Sequence, residues 1–490
     1  MKILILSILF LSLFNLNCNL QAKEIVVHDN ASLLKALNEV TAGSTISLKD
    51  GVYRDVQLVL LADGKSEQKI TVQAQHPGKV FFSGNVKVEL RGDYNILKGI
   101  YFKDGNRNKT EWKSHGPGLV AVYGDHCEIA ECLFYHFDEA NSAYITTSLT
   151  EEGHVPQYCH IHHCAFIEKT TLDQVINLNN TSKKSVKGEP GIPMYHRVSY
   201  CYFSNPPKKG NAGGGIRVGY WRKDYGRCLI DHNLFERQDS EPEIVTSKSM
   251  ENVYYANTIL NCRGTLNLRH GDQQVVLNNI FLGTDKKHDY GALYLWGSRH
   301  IIGNNYVSLS RTLNNRGGAS VFFNCGPKAS EHALAYDILM LSNTFENING
   351  VVFHFAPLYE RRIQSFGEHC ELPYNIHFVN NFITSDEVKD KVWAEVDYNS
   401  SRQLWTDNIY RNYSEQAFGC IDGWTKGDGL KAMSCEELQN ILPYTNIEGI
   451  DLDFIEILSQ PLDPHPLGRH DVGPGWCTKY PGSYFDSGVY

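Results

Sequence analysis

The sequence predicts an all-β chain wound as a right-handed parallel β-helix, a single solenoid with a helical cap at its start and loops inserted between coils. Three observations carry that expectation. Short apolar segments recur along the chain, among them YNILKGIYF, HCEIAECLF, YCHIHHCAF, RCLIDHNLF, NVYYANTIL and NIHFVNNF. Each holds Gly, Cys or Asn at one fixed place, at Gly99, Cys132, Cys164, Cys201, Asn233, Asn257, Asn279, Asn305, Asn343 and Asn381, spaced by 22 to 38 residues. Self-similarity at such a period marks a repeat architecture in which each unit buries its apolar face against the next. From Asn233 onward the marked residue is always Asn. An amide side chain there bonds to its equivalents in the coils on either side, at the strand spacing of about 4.8 Å. A propeller of similar period lacks support, because no four-strand blade pattern appears.

Residues 1–22 carry one basic residue, Lys2, then an apolar run from Ile3 to Leu16 and a small residue, Ala22. That pattern predicts a secretory signal peptide, too short for a membrane span. Export to the periplasm or medium is the expectation, with a lipid anchor at Cys18 as the lesser alternative. A short strand and an amphipathic helix, SLLKALNEV, begun by Asn30 or Ser32, are expected to cap the solenoid. Strands and turns then alternate through TISLKDGVYRDVQLVLL and KITVQA. The β-helix is expected to occupy residues 23–395 and the remainder, 396–490, to extend it.

The formal net charge of −9 on 490 residues excludes a general nucleic-acid binder, whose footprint is basic, yet leaves room for a local basic cleft and an anionic ligand. The chain is expected to act as a monomer. Thirteen cysteines suggest a disulfide framework, but Cys127/Cys132 and Cys159/Cys164 repeat a five-residue spacing that matches no zinc motif. Buried thiols acting as small hydrophobes fit better. His160, His162 and His163 are read as structural because no carboxylate partner is evident in the sequence.

Chemistry concentrates between Asp239 and Asp272. Side chains two apart on a strand share a face, so Glu241 and Glu243 point the same way and repel unless a cation lies between them. Ca²⁺, with its oxygen ligands, suits such a pair. Counted from the repeat position, Asn211 lies ten residues after Cys201 and Glu243 ten after Asn233, which stacks Asn211 and Glu243 on adjacent coils as an all-oxygen set with Glu241. Lys248 and Arg269 follow nearby, and a lysine beside added positive charge gives up its proton more easily, as a general base requires. Arg316, the pair Glu331–His332 and the pair Arg361–Arg362 lie in long insertions, where function is often carried. Adjacent guanidiniums suit carboxylate and sulfate groups. Tyr220 and Trp296 are candidate sugar-stacking platforms and His115 a candidate donor. A glycoside hydrolase needs two carboxyls facing across the scissile bond, which a side-by-side pair does not offer. A non-catalytic glycan binder has no use for a lysine beside the pair.

The segments WKSHGPGLVA, DEANSAYITTSLTE, DQVINLNNT, NAGGGIR, GRCLIDHNLFERQDSEPEIVTSKS, ENVYYANT, LNLRHGD and ASEHALA resemble the polysaccharide lyases of family six, nearest their chondroitinase B branch, over about residues 25–365. The resemblance implies a calcium-dependent β-elimination on a uronic-acid polysaccharide, dermatan sulfate in that branch and alginate in other members. It implies Ca²⁺ on Asn211, Glu241 and Glu243, Lys248 as the base, and Arg269 steadying the anion or the leaving oxygen. Glu331 and His115 then support the site, and Arg316, Arg361 and Arg362 hold substrate. The segment toward the C-terminus departs from the family pattern.

Overall fold

The computed structural model describes residues 23–106, 116–137, 142–180, 191–210, 213–286, 288–310, 318–327, 332–359 and 370–482, with backbone alone at 362–363 and 367–368. The leader at 1–22 lies outside them. Three long sheets of 14, 14 and 12 strands make the body. Sheet A runs from Glu24–Val27 to Leu404–Thr406, sheet B from Gly51–Arg54 to Trp424–Lys426, and sheet C from Gln57–Leu60 to Trp393–Ala394. Each strand pairs in parallel with its counterpart one coil on, as His160–His162 does with Arg197–Ser199. This is the parallel β-helix the repeat implies.

Its interior is built from inward-pointing strand residues. In sheet B, Phe82, Phe102, Phe134, Phe166, Phe203 and Phe235 form a column with ring centroids 4.4–5.4 Å apart. The corner between sheets A and B turns on one left-handed residue per coil, including Glu131, His163, Tyr200, His232, Ala256 and Asn278, all with φ near +50°. The residue after each is the marked one. Gly99 is therefore out of phase by one: it occupies the left-handed place (φ +75°), and buried Ile100 takes the corner position.

The asparagine ladder forms as expected and runs one coil further, to Asn408. Within it, Asn257 Oδ1 accepts from the backbone N–H and side-chain amide of Asn233, both at 3.0 Å, and its own amide donates to Ile230 O at 2.8 Å. In the earlier coils Cys132, Cys164 and Cys201 take the same place, buried, each thiol donating to a backbone carbonyl. A second column stands at the corner between sheets C and A, always five residues earlier: Cys127, Cys159, His196, Cys228, Asn252, Gln274 and His300. Three of them, His196, Asn252 and His300, accept the backbone N–H of the coil before, as His196 Nδ1 does from Cys159 N at 3.1 Å. The five-residue cysteine spacing is thus the width of a sheet A strand with one inward residue at each end. Among the described residues no cysteine is in a disulfide.

Helix α1 (Asn30–Glu39) packs Leu33, Ala36 and Leu37 against the first coils. Its N-cap is Asp29, not Asn30 or Ser32; Ser32 sits three residues on and completes a reciprocal capping box. Beyond Lys426 the chain leaves the coils and returns along the outside. Helices α2 (Cys435–Ile441) and α3 (Phe454–Ser459) bury Leu438, Phe454 and Leu458 on the outer face of sheet A, against Val275, Leu277, Ile301 and Leu339. The strap then crosses to sheet B, where Val472 and Tyr480 cover Leu133, Ala165, Ile167 and Leu234. Arg469 forks onto Glu236 at 2.7 and 2.8 Å, and Trp476 Nε1 donates to Glu131 O at 2.8 Å.

Candidate active site

The strap covers sheets A and B; the candidate site lies on the outer face of sheet C. Residues Thr146, Asn177, Arg217, Thr246, Asn267, Tyr294, Phe322 and His354 stack in register there, on the side away from the core. Ser247, Leu268 and Leu295 are paired inward residues on three successive coils. Lys248, Arg269 and Trp296 each follow one of them, so all three occupy the same corner position, one coil apart.

Glu243 reaches the outer face by a device that simple alternation misses. Val245 and Ser247 on its strand, Glu243–Ser247, point inward, and strict alternation sends Glu243 inward as well. A β-bulge between Glu243 and Val245 reverses it. Its carboxylate accepts from Thr246 Oγ1 at 2.7 Å and from Arg269 Nη1 at 3.2 Å. Glu241 precedes the strand and is buried, accepting from Gly214 N at 2.7 Å and Gln174 Nε2 at 3.2 Å. The glycine run of NAGGGIR serves this approach: a Cβ on Gly214 would stand 2.4 Å from Glu243 O and 2.7 Å from Glu241 Oε1. Burial, and then the charge of Glu243, raise the Glu241 pKa above the ordinary carboxylate value.

The Lys248 amine lies 5.4 Å from the Tyr220 ring centroid, with the Arg217 guanidinium 5.5 Å from the same ring. Burial first, then the charges of Arg269 and Arg217, pull the lysine pKa down to about 8, against an opposing pull from Glu243 and Glu241. Arg269 is held twice, by Glu243 and by His332, whose Nε2 accepts from Arg269 Nε at 3.0 Å. His332 stacks on Trp296 at 4.6 Å. Trp296 is only 3% exposed, so it lies beneath His332 and does not present an open platform for a sugar. Tyr220 is partly exposed and stands over the lysine.

The structure thus gathers Glu241, Glu243, Lys248, Arg269 and Tyr220. His115, Asn211, Arg316, Glu331 and Arg361, together with the Arg362 side chain, lie outside the described residues. Reading the sequence missed Gln174, Arg217 and Thr246, and named His332 only as the neighbour of Glu331 in an insertion. Register alone marks Arg217 and Thr246, which pair across coils, whereas nothing in ASEHALA shows that His332 meets Arg269.

The family model for chondroitinase B matches residues 27–453. The chain belongs to the chondroitinase B family. No curated protein matches it in sequence. Among solved structures, the PL6 family alginate lyase AlyGC aligns with a TM-score of 0.73 at 23% identity, over 94% of this chain and 59% of that one. A mannuronic acid specific family 6 lyase from human gut microbiota aligns at 0.68 and 18%, over 95% and 98%. A family 6 polysaccharide lyase from Pseudopedobacter saltans aligns at 0.64 and 20%, over 92% and 99%. The chain therefore spans about three-fifths of AlyGC and nearly all of the other two. These likenesses bear out the fold.

Proposed function

We propose that the protein is a polysaccharide lyase that breaks the bond to O4 of a uronate by β-elimination, and that its substrate is dermatan sulfate. The observation that carries the reading is the placement of Lys248 one coil from Arg269 at the same corner of sheet C, beside Tyr220 and the Glu243 carboxylate that Arg269 pairs with. Burial and the arginine charges there draw its pKa down to about 8. A general base works best with a pKa near the working pH. Neutral Lys248 takes the proton from C5, a double bond forms between C4 and C5, and the C4–O4 bond breaks, with the departing oxygen taking up a proton. Arg269, fixed by Glu243, supplies donors to the uronate carboxylate, where negative charge grows as the proton leaves.

Glu241 and Glu243, with Asn211, would hold Ca²⁺. The donor set is hard oxygen, and burial first, then the charge of Glu243, raise the Glu241 pKa, a cost that a divalent cation between the carboxylates would relieve. When bound, the ion supplies positive charge that neutralises the substrate carboxylate and acidifies C5. Arg316, Arg361, Arg362 and His115 are proposed to bind the polymer, and Glu331 to support the base. Export directed by residues 1–22 would bring the enzyme to such polymers.

The chondroitinase B family match and the Arg361–Arg362 pair, suited to sulfate, favour dermatan sulfate. Alginate is the second reading, favoured by relatives that are alginate lyases. The test is ultraviolet absorbance of the unsaturated uronate on both polymers, with and without chelator. Signal on dermatan sulfate alone, lost on chelation and restored by Ca²⁺, is expected. Signal on alginate alone overturns the substrate, chelator-insensitive signal overturns the metal, and new reducing ends without absorbance mean hydrolysis.

A further inference from the structure

We infer that His332 is a positioning residue, a neutral imidazole whose Nε2 fixes the plane of the Arg269 guanidinium. The inference rests on the lyase reading of the site. A guanidinium is donor-only and stays protonated. Nε2 at 3.0 Å from Arg269 Nε must therefore offer its lone pair, which puts the ring proton on Nδ1. An imidazolium in that seat would set N–H against N–H and charge against charge.

The seat itself is built. His332 is 5% exposed and its ring lies 4.6 Å from that of Trp296, inclined by 24°. Trp296, itself buried, packs against Tyr294 at 6.1 Å and occupies the corner position one coil after Arg269. Rotation of the imidazole is thus restrained by an aromatic floor. Glu243 grips one end of Arg269 through Nη1, and this contact alone leaves the guanidinium free to swing about it. A second anchor at Nε removes that freedom. Among the described residues these two contacts engage Nε and Nη1 of the guanidinium. Trp296 acts here through His332, which explains a tryptophan in the site that meets little solvent.

Substitution separates the hydrogen bond from the packing. His332→Phe keeps a ring on Trp296 but has no acceptor; His332→Gln keeps an acceptor near the Nε2 position. Formation of unsaturated uronate is measured as kcat and KM, with thermal unfolding as a check on folding and Lys248→Ala as the inactive control. Loss of a group that orients a functional side chain typically costs about 10–100-fold. His332→Phe is expected to lose kcat on that scale with KM little changed, and His332→Gln to recover most of it. A His332→Phe variant that folds and matches the wild type overturns the inference. Equal impairment in both variants also overturns it, because packing is then what matters. Should the wild type form no unsaturated product, the lyase reading fails, and crystal structures of the variants judge the positioning. Arg269 is expected to keep its place in His332→Gln and leave it in His332→Phe; an unmoved Arg269 in both overturns the inference.

Discussion

At the scale of single residues the account turns on one amine. Lys248 is close to Glu241, Glu243, Arg269 and Arg217, and burial with the two arginines outweighs the two carboxylates. The sign of the consequence follows. A base must be neutral, so activity is expected to rise with pH and to level off above about 8, with a bound divalent cation moving the limb lower. The kcat profile checks this; a rate that falls across that range contradicts it. Removing a general base costs about 10²–10⁴-fold, and a Lys248→Ala variant is expected to fall that far while unfolding as the wild type does. The Glu pair and Lys248 were legible because their residue types and spacing are unusual. The bulge that turns Glu243 outward was not, since nothing in EPEIV announces it. Nor was His332, which meets Arg269 across 63 residues of chain.

At the scale of the element, the corner is the unit that makes a coil. The left-handed residue turns the chain and the inward residue after it satisfies the turn. Asn279 accepts from Asn257 N at 3.0 Å and Nδ2 at 2.9 Å, and donates to Tyr254 O at 2.9 Å. Asn279→Ala leaves the buried Asn257 N–H without its acceptor and takes one partner from the Asn257 amide and from Tyr254 O, at about 1–3 kcal/mol for the orphaned group. A clear drop in the melting temperature is expected; unchanged melting would mean that the ladder is ornamental. This level was the most legible in sequence, because a repeat shows itself many times over. The slips are local. Gly99 was aligned one place early because a left-handed position and a corner position both favour small residues. The second column went unseen because Cys, His, Asn and Gln share that corner, and their hydrogen bonds differ: His196, Asn252 and His300 accept from the coil before, while the thiols donate to backbone carbonyls.

At the scale of the molecule, the strap covers two faces of the solenoid, and the proposed site lies on the third. Its sequence carries no coil repeat, and its partners lie far away in the chain, as Trp476 and Glu131 do, 345 residues apart. That is why it was unreadable from sequence. Arg469→Ala leaves the nearly buried Glu236 without its cation, and breaking a buried pair from one side costs about 3–5 kcal/mol. Thermal unfolding is expected to show a loss at or below that range, given the partial exposure of Arg469; no loss would mean that the strap is held by its apolar contacts alone. The most direct test of the central claim compares wild-type and Lys248→Ala protein by ultraviolet absorbance on dermatan sulfate and alginate, in calcium-containing buffer near pH 8. The expected result is unsaturated product from the wild type and at least about 100-fold less from a folded variant. Equal product from both would remove Lys248 from the chemistry and the account with it.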